Sequence, residues 1–244
     1  MPHASLGRRN YEEFADRYAE IAATKPHNAY YERPATLSLL PTLAGKRVLD
    51  AGCGPGFYAE AILERDPASL VCVDVTPRMV ELTRARVGER ALVLPADLEQ
   101  PLDFADGSFD VVVCPLVLDY IEDWGGFFIE VHRVLAVGGT FVYSHGHPMA
   151  DYQLVKERCN PESVYFETER FALEWKGFGP PYPRIESFRR SLTAMIEPLI
   201  GAGLVLERVL EPKPTEDFRR AAPEGYAYLM RQPVFLCVRA RKPG

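Results

Sequence analysis

Apolar and polar positions change their rhythm several times along the chain, and each change marks an element. Residues 11–23, YEEFADRYAEIAA, set Tyr11, Phe14 or Ala15, Tyr18 and Ala22 at helical spacing. A second helix is predicted over 34–43, opened by Pro34. Lys46–Asp50 then reads as a short buried strand, followed by the glycine-rich stretch Gly52–Gly56 and a helix from Tyr58 to Arg65. Leu70–Val73 is a second strand ending at Asp74, and Thr76-Pro77 starts a helix that runs through Arg78–Val87. Ala91–Leu94 and Phe109–Cys114 are the third and fourth strands. An amphipathic helix over 124–135, stopped at Val137-Gly138-Gly139, leads to a fifth strand, Thr140–Tyr143. Strand alternating with helix predicts a parallel sheet covered on both faces.

Beyond Ser144 the alternation breaks. Residues 145–187 are rich in aromatics, prolines and glycines, with strand-like pieces at Ser163–Thr168 and Phe171–Trp175. A helix returns at Phe188–Ala202, and Leu204–Leu210 and Val234–Ala240 are two final strands. Between these strands the chain is polar and interrupted by Pro212, Pro214 and Pro223. The segment 145–187 is too short and irregular for a core of its own, so it reads as an insertion over the active face.

Composition narrows the function classes. The 244 residues, 47% hydrophobic, suffice for one well-packed domain, and a formal net charge of -6 argues against a mainly electrostatic nucleic-acid or membrane binder. The arginine pairs at 8–9, 189–190 and 219–220 are short and flanked by carboxylates, as on a solvated face. The five cysteines form no C-x-x-C pair, and Cys72, Cys114 and Cys237 sit in apolar runs, so neither a disulfide framework nor a zinc knuckle is expected. The first twenty residues lack the apolar core of a signal peptide and no run is long enough to span a bilayer, so the expected setting is the cytoplasm.

The segment VLDAGCGPG, Val48 to Gly56, carries the most chemistry. A glycine-rich turn between strand and helix lets a ligand approach the backbone and aims N–H groups at an anion. A nicotinamide-binding loop would read G-x-G-x-x-G, whereas here the spacing is G-x-G-x-G with Asp50 just before it and no lysine or arginine within. That suits a ligand bearing both a carboxylate, for the amides, and an ammonium, near Asp50; the methionine end of S-adenosylmethionine has both. Asp74 ends the second strand 22 positions after Gly52, where a carboxylate can accept both ribose hydroxyls. Asp97 ends the third strand and could accept from an adenine amino group.

These motifs resemble, in order and spacing, those of the class I S-adenosylmethionine-dependent methyltransferases of small-molecule type, over roughly residues 30–144. VLDAGCGPG looks like their first motif, VCVDVTPRM (Val71–Met79) the second, and PADLEQPLDFADGSFDVVVCPLVLDYIED (Pro95–Asp123) the third and fourth. RVLAVGGTFVYS (Arg133–Ser144) looks like the strand that follows. The resemblance implies a Rossmann-like seven-stranded, mainly parallel sheet, with an antiparallel last strand inserted beside Leu204–Leu210. It implies four regions: an N-terminal helical lid (1–33), a cofactor-binding core (34–144), a substrate cap (145–187) and a C-terminal completion of the core (188–244). It implies S-adenosyl-L-methionine as cofactor. The implied contacts come from Asp50, Ala51, Gly52, Cys53, Gly54 and Gly56, from Asp74, Val75 and Met79, from Ala96, Asp97 and Leu98, and from Cys114 and Pro115. In the lid, Tyr11 and Tyr31 would reach the methionine end, with Arg33 as a cation for its carboxylate. Many relatives carry a histidine after the fourth strand; this chain has Leu118-Asp119-Tyr120 there, with Tyr120 as a wall residue.

Methyl transfer from a sulfonium is an in-line displacement, in which holding the partners in contact matters most and a base is needed only when the acceptor must lose a proton. The fifth strand delivers Ser144-His145-Gly146-His147 toward the crevice, making His145 and then His147 the candidate bases. The pair H-x-H has no acidic or cysteine partner placed for a metal. Tyr120, Tyr152, Tyr165 and Trp175 are the candidate walls for a flat or apolar acceptor. The expected partner is therefore a small-molecule methyl acceptor rather than a nucleic acid or membrane, with oxygen, nitrogen or carbon as the methylated atom. The state of assembly stays open, a homodimer included. Competing readings are a catalytically idle S-adenosylmethionine-binding regulator, a nicotinamide-dependent oxidoreductase, and a macromolecular methyltransferase. Against the last, the N/D-P-P-Y motif of amino-directed nucleic-acid enzymes is absent, the fourth strand ending in Cys114-Pro115-Leu116-Val117.

Overall fold

The computed structural model describes residues 5–244; positions 1–4 of the expected lid lie outside the described residues. The chain opens with α1 (Leu6–Tyr11), α2 (Ala15–Ala22), a π-helical turn (Asn28–Glu32) and α3 (Arg33–Ser38). Then come β1 (Arg47–Ala51), α4 (Phe57–Leu63), β2 (Ser69–Asp74), α5 (Pro77–Val87), β3 (Leu92–Pro95), β4 (Phe109–Pro115), α6 (Trp124–Val134) and β5 (Leu135–Gly146). The remainder comprises α7 (Pro148–Arg158), β6 (Glu169–Glu174), β7 (Arg184–Arg189), α8 (Leu192–Gly201), β8 (Val205–Leu210), α9 (Glu216–Ala221), α10 (Pro223–Leu229) and β9 (Phe235–Arg241).

Seven strands form one sheet in the order β3-β2-β1-β4-β5-β9-β8. The pairs from β3 across to β5 are parallel, and β9 runs antiparallel between β5 and β8. This is the Rossmann-like architecture expected from the alternating pattern, with the last strand reversed. Alternating residues along each strand feed two cores. Leu49, Phe141 and Tyr143 pack with Phe128 of α6 and Leu199 of α8 on one face; Val48 and Val142 pack with Ile62 of α4 and Val80 of α5 on the other. Among the described residues no helix is long and apolar enough to cross a membrane.

The segment 145–187 holds the end of β5, α7, β6 and the start of β7. β6 and β7 pair antiparallel as a separate two-stranded ribbon. Asn10 of α1 fastens it, its amide donating to Glu186 O (2.8 Å) and accepting from Glu186 N (3.0 Å).

Several elements differ from the expectation. The helix expected over 11–23 breaks between α1 and α2. Phe14 and Tyr18 nonetheless meet the same ring, Phe178, at centroid distances of 5.1 and 5.6 Å, so the helical spacing survives the break. Residues 163–168 form no strand, because the carbonyls of Val164 and Glu167 turn to the buried Arg189 guanidinium instead of a ladder. The proline-broken stretch 211–232 holds α9 and α10. Thr215 caps α9 by accepting from Phe218 N, and Pro223 opens α10, so a residue read as a breaker is a helix start.

Candidate functional site

A cavity opens at the C-terminal ends of β1 to β4, where the strand order reverses and crevices form in sheets of this kind. Its floor is the loop after β1. Gly52 sits at φ +81°, and a Cβ there would lie 2.4 Å from Val117 Cγ2, so the loop and the segment after β4 approach as closely as they do only because residue 52 is glycine.

The loop amides are already committed. Gly52 N and Cys53 N both donate to Val73 O (2.8 and 2.9 Å), Gly54 N donates to Asp74 Oδ2 (2.9 Å), and Gly56 N donates to Cys53 O (3.0 Å). Residue 55 is proline and has no N–H. The expectation that these amides hold a ligand's carboxylate is therefore corrected: they tie the loop to β2, and the loop serves close approach instead of anion binding.

Asp74 anchors the same arrangement. Its two oxygens accept from Gly54 N and from Thr76 N (2.8 Å), its carboxyl is pushed up by burial, and it lines the cavity. A carboxylate has about four acceptor positions, so two remain for ligand hydroxyls. Val75, Met79, Ala96, Asp97 and Leu98 extend this wall, and Cys53, Gly54 and Pro115 border it.

Asp50, Ala51, Gly56, Cys114 and Tyr31 do not line the cavity. Asp50 lies on β1 between β2 and β4, fully buried, both oxygens without partners, its carboxyl pushed up to about 8 by burial and then by Asp74. Asp50 is thus set behind the cavity wall and not on it, whereas the sequence pattern places it beside a ligand's ammonium. Tyr31 is fully buried; it packs on Phe218 and Phe235, and its hydroxyl accepts from Val234 N. Ala51 and Cys114 are buried strand residues, and Gly56, at φ +85°, caps α4.

Tyr11 and Tyr120 close the opposite wall, their hydroxyls 2.8 Å apart, with Tyr18 beside them. Burial pushes all three phenols up, Tyr18 to about 12, so each is a neutral hydroxyl at working pH. Trp175 stands behind Tyr11 (6.4 Å) and stacks on Phe178. Tyr152 and Tyr165 pack on each other within the cap segment and away from the cavity lining.

The histidines depart most from expectation. His145 is fully buried and faces the α6 side of β5, against Trp124 (5.2 Å) and Tyr143 (5.8 Å). Alternation along β5 decides this: Phe141, Tyr143 and His145 share one face, while Ser144 points to the other. Burial lowers His145 to about 4, and it does not line the cavity. His147 caps α7, its Nδ1 accepting from Met149 N, and its Nε2 lies 2.9 Å from Glu211 Oε1. Neither histidine is among the residues that line the cavity.

Two lining residues fell outside the sequence motifs. Glu32, 1% exposed, ends the π-helical turn, and its Oε1 accepts from Ser144 Oγ (2.5 Å), Tyr58 OH (2.7 Å) and Thr36 Oγ1 (2.8 Å). Burial raises this carboxyl above its usual range against the pull of those hydroxyls. Arg33 follows, its guanidinium 4.6 Å from the Phe57 ring centroid and its Nε buried without a partner. The family resemblance points to Arg33 for a ligand carboxylate, whereas Glu32 carries no sequence signal beyond adjoining it ahead of Pro34.

Opposed side-chain charges at one end, a ribose-ready acid at the other and a glycine floor between them fit an amino-acid-bearing nucleoside. Comparison with known proteins agrees. Residues 49–143 match the family model described as a methyltransferase domain. An uncharacterized protein of Haemophilus influenzae is 26% identical over 95% of both chains. The malonyl-[acyl-carrier protein] O-methyltransferase of Legionella pneumophila is 31% identical over 139 residues, 55% of this chain but only 47% of that enzyme, so the chain matches about half of that relative's length. The crystal structure of an S-adenosylmethionine-dependent methyltransferase from Mesorhizobium loti superposes with a TM-score of 0.69 at 25% identity, covering 90% of this chain and 99% of that one.

Proposed function

We propose that this chain, whose residues 49–143 match the methyltransferase-domain family model, is a class I S-adenosylmethionine-dependent methyltransferase that methylates a small molecule with a flat or apolar body, held against the tyrosine wall of the cavity. The observation that carries this reading is the pair Tyr11 and Tyr120, which lines the cavity and is backed by Tyr18, Trp175 and Phe178. An aromatic wall with hydroxyl tips suits a ring-bearing or apolar acceptor with a polar atom to orient.

S-adenosylmethionine, when bound, supplies an electrophilic methyl on its sulfonium. The chain's own residues would position both partners. Asp74 would hold the ribose hydroxyls, Met79 and Leu98 would enclose the base, and the hydroxyls of Tyr11 and Tyr120 would aim the acceptor. With neutral phenols on this wall and both candidate histidines elsewhere, alignment rather than proton removal would carry the rate. The name of the Legionella relative, an O-methyltransferase, supports transfer to oxygen without identifying this chain's acceptor.

The test is incubation with methyl-labelled S-adenosylmethionine and separate pools of small aromatic and apolar hydroxyl or amino compounds, of protein and of nucleic acid. The expected result is label in the small-molecule pool. Label entering only protein or nucleic acid would overturn the reading.

A further inference from the structure

Helix α2 lies along one side of the cavity. Its inner face is nearly apolar: Ala15 and Ala22 are buried, and Tyr18, between them at helical spacing, lines the cavity. Consecutive residues on a helix point about 100° apart. Asp16 and Arg17 use that divergence to fasten α2 to two different elements. Asp16 Oδ1 accepts from Arg78 of α5, at Nε (3.0 Å) and Nη2 (2.8 Å). Arg17 reaches the connection between β6 and β7, its Nη2 donating to Pro181 O (2.8 Å) and its Nη1 to Gly179 O (3.5 Å). Past the end of the helix, the Lys25 ammonium lies 3.8 Å from the centroid of the Phe178 ring in that same connection.

We propose that α2 is a strap over the cavity, fastened to α5 by Asp16 and to the β6–β7 connection by Arg17, and that it lifts to let ligands enter and leave. The kinetic part of its test rests on the cofactor lying in this cavity.

The fastenings are of a kind that opens readily. The Asp16 and Arg78 side chains are 68% and 46% exposed, and exposed ion pairs contribute little each and weaken in salt. The helix has eight residues, a length that is marginal without packing, and no side chain among the described residues caps its N-terminus. Regular helix stops on both sides of it, at residues 12–14 and 23–25, which gives the strap a bend at each end. Lifting it would carry Tyr18 out of the cavity wall and uncover that side.

The test measures association and dissociation rates of S-adenosylhomocysteine by stopped-flow fluorescence. The proteins are the full wild-type chain, the double variant Asp16→Asn/Arg17→Gln, and Arg220→Gln, a control that removes an exposed pair within α9. Neither Asp16 nor Arg17 lines the cavity, so the double variant should raise both rate constants together, by about twofold or more, and shift affinity by less than about twofold. The control should change neither rate. In wild type both rates should rise between about 0.05 M and about 0.5 M potassium chloride, and in the double variant they should rise less. Rates changed by less than about twofold in the folded double variant would overturn the strap. So would a rise in dissociation alone with affinity lost in proportion, which would make the two residues part of the ligand's wall. If wild type binds no S-adenosylhomocysteine, the cofactor reading fails, and the strap is read on the free chain by hydrogen exchange. The amides of α2 should then exchange faster in the double variant while those of α5 keep their rates; equal α2 rates would overturn the strap.

Discussion

Burial sets the charge states of Asp50 and His145, and it does so in opposite directions. Asp50 is held up to about 8, so the folded chain keeps a proton that the unfolded chain releases near its ordinary value of 3.8. The contribution is full below pH 3.8 and is lost as pH rises through about 8. His145 is held down to about 4 from 6.5, so its contribution is full above pH 6.5 and is lost as pH falls through about 4. Asp50→Asn, which mimics the protonated acid, should therefore raise the melting temperature of the ligand-free protein more at pH 8 than at pH 5, as thermal unfolding at the two pH values would show. An equal shift at both would mean that Asp50 is ionised in the folded chain. His145→Phe should leave turnover within about threefold, where loss of a general base costs about a hundredfold or more. A fall of that size in a folded variant would return His145 to the chemistry.

At the scale of elements, the loop after β1 acts through contact. Gly52→Ala demands a Cβ 2.4 Å from Val117 at a φ of +81°, so either the loop or the segment after β4 must move. Cofactor affinity should fall at least about tenfold, read by titration with S-adenosylhomocysteine; an unchanged value in a folded variant would show that the close approach is dispensable. The sequence made this loop, its flanking strands and α5 legible because glycine, proline and strand alternation are local signals. Asp74 and Asp97, at or just past strand ends, and Met79, in the first turn of α5, line the cavity where such local signals put them. The loop's hydrogen bonds were not legible, since Val73 O lies a strand away. Nor was Glu32, whose three hydroxyl donors come from residues 36, 58 and 144. His145 was misplaced by one step of alternation: its neighbour Ser144 is the β5 residue that points toward the site, through Glu32.

At the scale of the molecule, the crevice opens at the strand ends where the sheet's order reverses, and residues of the N-terminal segment line one side of it. Tyr11 of α1 meets Tyr120 after β4, while Asn10 of the same helix is bound to β7, so the β6–β7 ribbon and the segment after β4 meet on one short helix. The whole account depends on which nucleoside this crevice holds. Calorimetric titration of the purified chain with S-adenosylhomocysteine and, separately, with a nicotinamide dinucleotide tests that directly. The account predicts micromolar binding of S-adenosylhomocysteine, weakened at least about tenfold by Asp74→Ala, and no measurable heat from the dinucleotide. Tight dinucleotide binding with none of S-adenosylhomocysteine would contradict it.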